Sequence, residues 1–329
     1  MGLKIGNVNL SHGLILAPMA GYTDRAMRLV CREFGAEYTV TEMVSATAVV
    51  FGDKKTFKIA RIREDEGEVG LQIFGRDPEV IKRGTEMILE EFSLQGYTMP
   101  TAIDINMGCP VKKIFSNGEG SALMREPDLI YKITAAAVSA SALPVTVKMR
   151  AGIDSEHINA VECALAAESA GASCVAVHGR TRAQLYGGKA DRGIIASVKE
   201  ALRVPVIANG DITDAESAIL MLRETKADGL MIGRAAVGNP FIFAEIKSAL
   251  CGGTMPEITL ALRKEVALRQ LSLAVEDKGE AVAVAEARKQ IANYFKGFRG
   301  SAALRASINT ALTYREVERA VSLVDESET

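Results

Sequence analysis

The stretch Ala102–Pro110, with the sequence AIDINMGCP, decides the fold. It begins as an apolar, β-branched run and ends in Asn-Met-Gly-Cys-Pro. A strand should stop here, because Pro110 cannot donate to a ladder and Gly108 favours an irregular turn. The thiol of Cys109 is therefore predicted just past the carboxyl end of a strand, where α/β folds carry their chemistry. Taken alone, Cys109 also fits a buried, inert cysteine.

Eight short apolar runs alternate with helical patterns along the chain. Eight β-α units in about 250 residues is the size of a TIM (β/α)8 barrel. The alternation alone also permits a doubly wound open sheet. The predicted strands are Leu14–Met19, Tyr38–Met43, Val69–Phe74, Ala102–Met107, Val145–Met149, Cys174–His178, Val206–Asn209 and Gly229–Ile232. Residues 45–67 are less regular, and the sequence assigns them no role.

The end of the chain has a different pattern. Gly252-Gly253-Thr254 interrupts the alternation, and no strand candidate follows Pro256. Periodic apolar positions beyond it predict helices. We expect a barrel catalytic domain over residues 1–251, a linker over 252–256 and a small all-helical domain over 257–329, a division that 329 residues accommodate.

Composition sets limits on the function. The chain is 48% hydrophobic and 24% charged with net charge -2, which is typical of a globular protein and leaves room only for a local basic patch. Five cysteines without a C-x-x-C pair, and three histidines, predict no metal site. The amino terminus lacks the apolar core of a signal peptide, and no apolar run is long enough to span a bilayer. We expect a cytoplasmic protein, with no membrane partner, that acts as a monomer.

Polar residues stand at the carboxyl ends of several predicted strands. In a barrel these ends share one face, so the side chains should converge. Lys148 is the most informative, since lysine is rarely buried without a partner, although alone it also fits a side chain that reaches solvent at the rim. After the last two strands, glycines and Arg234 resemble a phosphate cradle. The set predicts a phosphorylated planar cofactor across the mouth; its members are Gln72, Asn106, Cys109, Lys148, His178, Asn209, Gly210, Asp211, Gly233 and Arg234.

An ordered set of motifs resembles the tRNA-dihydrouridine synthases, most closely their bacterial B-like branch. The resemblance spans nearly the whole chain, and its specificity lies in the order of the motifs. They are APMAGYTD at 17–24, TEMVS at 41–45, NMGCP at 106–110, VKMR at 147–150, HGRT at 178–181, NGD at 209–211 and IGR at 232–234. The basic and aromatic segment 288–305 is similar to the family's helical RNA-contacting domain.

The resemblance implies an FMN enzyme that reduces the uracil 5,6 double bond in tRNA, with NADPH as the usual reductant and NADH as another. It implies that Cys109 is the proton donor. The residues it implies around the flavin ring and ribityl chain are Pro18, Met19, Ala20, Gln72, Lys148 and His178, and those around the lower chain and phosphate are Asn209, Gly210, Asp211, Gly233 and Arg234.

The reaction itself supports an acid role for Cys109. Hydride delivered to C6 of uracil leaves negative charge toward C5, which a neutral acid on the opposite face must protonate. A thiol with an ordinary pKa of about 8.5 is mostly protonated at neutral pH. Asn106, just upstream, is expected to hydrogen-bond the uracil edge.

RNA binding is predicted from basic segments. Residues 287–305 contain five cations, no acidic residue and interleaved aromatics, a pattern that suits phosphate contacts and stacking. A solvated basic helix face over a core of aromatics fits the same pattern. A second basic segment follows the sixth predicted strand. The predicted tRNA-contacting cations are Arg180, Arg182, Arg288, Lys289, Lys296 and Arg299.

Three other functions fit part of the sequence. A dihydroorotate dehydrogenase or ene-reductase acting on a small molecule would explain the flavin site but not the basic helical end. A Schiff-base aldolase using Lys148 would need no flavin. An RNA-binding module without activity would leave Cys109 and Lys148 unexplained. The sequence does not indicate which uridine is reduced, and no G-x-G-x-x-G motif indicates a resident dinucleotide.

Overall fold

A computed structural model describes residues 2–325 and shows the predicted barrel. The strands of its sheet are β3 (Leu14–Leu16), β4 (Tyr38–Val40), β5 (Val44–Ser45), β6 (Val69–Phe74), β7 (Ala102–Met107), β8 (Val145–Arg150), β9 (Cys174–His178), β10 (Val206–Asn209) and β11 (Gly229–Ile232). Eight of these parallel strands close on themselves, because β4 pairs with both β3 and β6, and β11 pairs with β3. The short β5 lies beside the end of β6.

The register of the sheet explains why the polar strand ends converge. Asn106 is paired with Lys148 across β7 and β8, and Asn209 with His178 across β10 and β9. Side chains at the same level of neighbouring parallel strands lie at the same edge of the sheet. The convergence predicted from the sequence is therefore confirmed as a structural feature of the barrel mouth.

Helices surround the barrel in the predicted order. Asp24 caps the first by accepting from the Met27 N–H at 2.9 Å. The helix after β8 begins only at Ala160, because the chain first makes an isolated bridge between Gly152 and Ile158. Residues 45–67 are mainly helical. The barrel helices are α1 (Arg25–Glu33), α2 (Ala46–Val50), α3 (Lys54–Ala60), α4 (Pro78–Gln95), α5 (Lys112–Ser116), α6 (Pro127–Ala140), α7 (Ala160–Ser169), α8 (Arg192–Ala201), α9 (Ala215–Thr225) and α10 (Ile242–Leu250).

A hairpin that the sequence analysis did not predict closes the amino end of the barrel. Strands β1 (Leu3–Ile5) and β2 (Val8–Leu10) pair antiparallel. Gly6 turns between them with φ +57°, and a Cβ there would lie 2.1 Å from Pro144 Cγ, so only glycine fits. The apolar side chains of the hairpin pack against the first residues of several barrel strands. This end of the barrel is therefore sealed by hydrophobic packing.

The chain ends in four helices with a core of their own. These are α11 (Leu260–Lys278), α12 (Glu280–Ala287), α13 (Ser301–Thr310) and α14 (Tyr314–Ser322). Their core includes the buried aromatics Tyr294 and Phe295 and also takes in Ala26, Val30 and Phe241 from the barrel. The predicted barrel followed by helices is thus confirmed, while residues 326–329 of the predicted helical domain lie outside the described part.

Polar contacts fasten these helices to the barrel mouth. Lys278 Nζ lies 2.6 Å from the Asp24 carboxylate, and Gln290 Nε2 donates to the Tyr22 carbonyl at 3.3 Å. The Arg63 guanidinium donates a hydrogen bond to the Asp277 carboxylate of α11, with an N–O distance of 2.7 Å. None of the helices within residues 2–325 is long and apolar enough to cross a membrane.

Candidate active site

A cavity of about 750 Å³ opens at the carboxyl ends of the barrel strands. Every residue predicted to hold a cofactor lines it, as do Cys109 and Asn106. The structure therefore brings together the predicted catalytic and cofactor residues, which come from seven strand ends and the loops after them. These residues are Pro18, Met19, Ala20, Gln72, Asn106, Cys109, Lys148, His178, Asn209, Gly210, Asp211, Gly233 and Arg234.

The loop that carries Cys109 is held from three sides. The side-chain oxygen of Asn106 accepts from the Cys109 N–H at 2.9 Å, and the Arg150 guanidinium donates to the Gly108 carbonyl at 2.9 Å. The hydroxyl of Ser121 donates to the Cys109 carbonyl at 2.8 Å. Gly120 keeps φ +60°, and a Cβ there would lie 3.0 Å from the Cys109 Cβ. The backbone that carries the thiol is therefore held in place at the cavity wall.

The surroundings of Cys109 favour its protonated form. Burial raises the pKa of the Cys109 thiol, and the Val111 N–H and the charges of Arg150 and Lys148 offset only part of this effect. A thiol in this environment is neutral at physiological pH. It is suited to give a proton rather than to attack as a nucleophile.

Lys148 is half-buried beside Asn209 rather than extended into solvent. Its ammonium donates to the Asn209 side-chain oxygen at 3.0 Å, and Asn209 in turn donates to the Met231 carbonyl at 2.7 Å. Burial, followed by the charge of Arg150, lowers the pKa of Lys148 to about 8, although Asp104 and Cys109 act in the opposite direction. The cavity floor thus holds a cation that gains from any negative charge placed near it.

His178 is the neutral member of this wall. Burial, together with the charges of Lys148 and Arg150, lowers the pKa of His178 to about 2. Its imidazole is therefore uncharged at physiological pH and acts through hydrogen bonding. A Cβ at Gly210, whose φ is +118°, would lie 2.8 Å from His178 Cδ2. Glycine at 210 thus lets the backbone pass directly beneath the ring.

Arg180 is a correction to the sequence analysis. It was predicted to contact tRNA, but it is only 2% exposed. Its guanidinium donates to the carbonyls of Gly187 and Gly188 at 2.9 and 2.8 Å and lies 2.7 Å from Asp211 Oδ1. Partial burial raises the pKa of Asp211, but the hydrogen bond from Arg180 and that from the Ala190 N–H lower it below its ordinary value. Arg180 therefore shapes the loop after β9.

The other predicted RNA-contacting cations lie in two settings. Arg182 is half-buried over the Phe115 ring at 4.0 Å, and half-buried Arg288 donates to the Ala311 carbonyl at 3.0 Å, so both also serve packing. Lys289 is exposed near the mouth, with its ammonium 3.4 Å from the Gly21 carbonyl. Lys296 and Arg299 are exposed on the helical end. Their contact with RNA stays a prediction.

Several lining residues were not assigned to the site by the sequence analysis, and four of them carry polar, aromatic or flexible side chains: Arg150, Met43, Tyr186 and Asn293. Arg150 carried a signal, since it ends the same strand as Lys148. Met43 lies between two short strands, and Tyr186 is in the glycine-rich loop that Arg150 and Arg180 bind. The Arg234 guanidinium lies 4.4 Å from the centre of the Tyr186 ring. Asn293 comes from the helical end, so both parts of the chain line the cavity.

Comparison with a family model gives a match over residues 15–327, to the dihydrouridine synthase (Dus) family. Three similar curated proteins cover almost the whole chain. A probable tRNA-dihydrouridine synthase of Rickettsia bellii is 40% identical over 93% of both chains. A tRNA-dihydrouridine synthase B of Vibrio cholerae is 41% identical over 94% of this chain and 95% of its own. Another of that name, from Xanthomonas axonopodis pv. citri, is 38% identical over 94% of this chain and 92% of its own.

A solved structure of morphinone reductase in complex with tetrahydroNAD is similar in fold. It matches with a TM-score of 0.51 over 80% of this chain and 93% of its own, at 11% sequence identity. At that identity the similarity supports the barrel fold and nothing about the reaction.

Proposed function

The chain belongs to the dihydrouridine synthase family, and from this premise we propose that it is a tRNA-dihydrouridine synthase that uses FMN, with Cys109 as the acid that protonates uracil C5. Family membership makes it a flavin-dependent oxidoreductase. The observation that carries the residue assignment is the position of a half-buried, protonated thiol on the same cavity wall as the residues suited to a flavin.

The cavity residues suit FMN in shape and charge. Gly210 and Gly233 present backbone without side chains, and a Cβ at Gly233 would lie 3.7 Å from Ala17 Cβ and Met19 Sδ, within the cavity wall. Arg234 provides a guanidinium for phosphate oxygens. Pro18, Met19 and Ala20 supply a compact wall for the ring. Lys148 keeps two N–H groups beyond its bond to Asn209, and these suit a polar edge of the flavin.

FMN held by these residues would supply, once reduced by NADPH, the hydride for uracil C6. The protein residues then manage the proton and the substrate. The Cys109 Sγ–H bond breaks as its proton passes to C5, and the resulting thiolate is stabilised by the charges of Arg150 and Lys148 until solvent reprotonates it. Asn106 uses one N–H for Gln72 and keeps the second for the uracil edge.

The substrate is proposed to enter as an extruded uridine. The mouth is lined by both the barrel and the helical end, through Tyr186 and Asn293. A nucleotide of folded RNA must leave its stack to reach such a cavity. Exposed Lys289, Lys296 and Arg299 would hold phosphates around it, so one molecule acting as a monomer is sufficient.

Small-molecule flavin reduction is the second candidate. It shares the flavin cavity and the acid, but it does not use the cations of the helical end. Tight, salt-dependent binding of tRNA separates the two, because phosphate contacts weaken with added salt and small-molecule reduction needs none.

The first experiment is an absorbance titration without air. We expect a flavin spectrum that bleaches with NADPH and recovers on addition of tRNA lacking dihydrouridine, while orotate and a simple enone leave it bleached. Recovery with orotate or the enone but not with tRNA would move the function to the second candidate. A colourless protein that cannot be reconstituted with FMN would contradict both.

A further inference from the structure

A chain of buried hydrogen bonds runs from the barrel interior to the loop of Cys109. The hydroxyl of Thr146 donates to Asp104 Oδ1 at 2.6 Å, and Gln72 Nε2 donates to Asp104 Oδ2 at 2.7 Å. Asn106 Nδ2 then donates to Gln72 Oε1 at 2.8 Å. Asn106 Oδ1 accepts from the N–H groups of Gly108 and Cys109 at 3.2 and 2.9 Å. Asp104, Gln72 and Asn106 are all less than 10% exposed.

The two ends of this chain fix its direction. An ionised carboxylate only accepts hydrogen bonds, and a backbone N–H only donates them. Each of the two carboxamides between them has one accepting and one donating end. If Gln72 turned over, its oxygen would face the Asp104 carboxylate and its NH₂ would face the NH₂ of Asn106. Only one orientation of both amides therefore satisfies every group.

We propose that Asp104 is a positioning residue, whose carboxylate sets the orientation of Gln72, through it that of Asn106, and so the position of the Cys109 loop. The inference rests on the proposed function in that Cys109 is taken as the acid. Asp104 itself lines none of the cavity and is removed from the thiol by two side chains. Its effect on the reaction is thus indirect.

Ionisation and burial agree with this role. Burial raises the pKa of Asp104 to about 6, against the hydrogen bonds from Thr146 and Gln72 and the charge of Lys148, so the carboxyl is ionised at neutral pH. A buried carboxylate is costly unless its partners are well placed. Such a group suits a fixed acceptor at the start of a directional chain.

The experiment measures the rate at which iodoacetamide alkylates Cys109, read at the level of peptides. Cys31, Cys163 and Cys174 are buried, while Cys251 is exposed at the far end of α10 and serves as an internal reference thiol. In Asp104→Leu the acceptor is lost and Gln72 is free to turn over. Asn106 then keeps only its bonds from the Gly108 and Cys109 N–H groups, and the loop loosens. We expect the Cys109 rate to rise about tenfold, the equivalent of about 1.4 kcal/mol, while the Cys251 rate is unchanged.

Two further variants separate the positioning role from the loss of charge and from the loss of any buried polar group. Asp104→Asn removes the charge but keeps an oxygen for Gln72 and an N–H for Thr146, so it should alkylate at the wild-type rate. Tyr38→Phe removes a buried hydroxyl that has no hydrogen-bond partner within residues 2–325, and it should also leave the rate unchanged. If Asp104→Leu does not fold, Asp104→Ala replaces it, measured below its melting temperature.

The outcomes distinguish this inference from the proposed function. The positioning role is overturned if Cys109 is alkylated at the wild-type rate in both Asp104→Leu and Asp104→Ala. It is also overturned if Asp104→Asn accelerates the alkylation of Cys109 as much as Asp104→Leu does. Tested on tRNA under single-turnover conditions, Asp104→Leu should lower the rate of flavin reoxidation without changing the tRNA concentration needed for half-maximal rate, and Asp104→Asn should restore it. If wild type fails to reduce tRNA but the alkylation pattern holds, the proposed function fails and the positioning role stands.

Discussion

The two ends of the barrel use the same strands for opposite purposes. At the amino end, Leu3, Ile5 and Leu10 of the hairpin pack on apolar strand residues. At the carboxyl end, Lys148 and Asn209 project polar groups into a cavity of about 750 Å³. Position along a strand thus decides whether a residue adds stability or chemistry. Substitutions at the two ends should separate these two quantities.

The largest expected effect is at the carboxyl end. Replacing Cys109 by alanine removes the proposed acid and should lower the single-turnover rate of flavin reoxidation by tRNA about 10²–10⁴-fold. The melting temperature should change little, because the thiol is only half-buried. Cys251→Ala, at the other end of the barrel, is the control and should keep the wild-type rate. A Cys109→Ala enzyme with the wild-type rate would remove the thiol from the reaction.

A substitution at the amino end should lower stability and leave the reaction rate unchanged. Ile5→Ala removes a fully buried side chain from the β1–β2 hairpin and should lower the free energy of unfolding by about 2–5 kcal/mol. Urea unfolding gives the stability, and flavin reoxidation by tRNA below the melting temperature gives the rate, which should stay at the wild-type value. Lys4→Ala, exposed on the same strand, is the matched control. A rate that falls together with stability in Ile5→Ala would show that the two ends are coupled.

Between the ends, Asp104 makes stability depend on pH. Its pKa rises from an ordinary 3.8 in the unfolded chain to about 6 in the folded protein, so the folded state binds the proton more tightly. Its contribution is therefore favourable below pH 4 and is lost as pH rises through 6, by up to about 3 kcal/mol. Relative to wild type, Asp104→Asn should gain stability as pH increases from 4 to 7, as measured by urea unfolding. A difference that is flat with pH would contradict the raised pKa.

Sequence reasoning recovered the carboxyl end better than the amino end. Strand-end residues such as Lys148 and His178 are placed by a periodic pattern, and the barrel brings them together. The hairpin carried a signal, since Leu3 and Ile5 alternate with Lys4 before a Gly-Asn turn. Three-residue strands are nevertheless too short for a pattern to identify on its own.

Long-range contacts account for the remaining errors. Arg180 has the sequence context of a surface cation, but the carbonyls of Gly187 and Gly188 fold back to bury it. Tyr186 reaches the cavity only because Arg150 and Arg180 bind its loop. Neither contact leaves a pattern in the local sequence. The guanidinium groups of Arg150 and Arg180 set the conformation of the loop, and they are brought to it only when the barrel closes.

The smallest expected effect concerns charge outside the cavity. Lys289 is exposed beside the mouth, with its ammonium 5.5 Å from the centre of the Tyr22 ring, whereas Lys4 is exposed at the sealed end. If Lys289 contacts a tRNA phosphate, Lys289→Ala should reduce the slope of log affinity against log salt by roughly one and leave the rate at saturating tRNA unchanged. Lys4→Ala should leave both unchanged. The slopes are measured by filter binding across a salt series. Removing a phosphate contact must lower the number of ions that binding releases. Equal slopes in Lys289→Ala and Lys4→Ala would therefore place the RNA away from this side of the mouth.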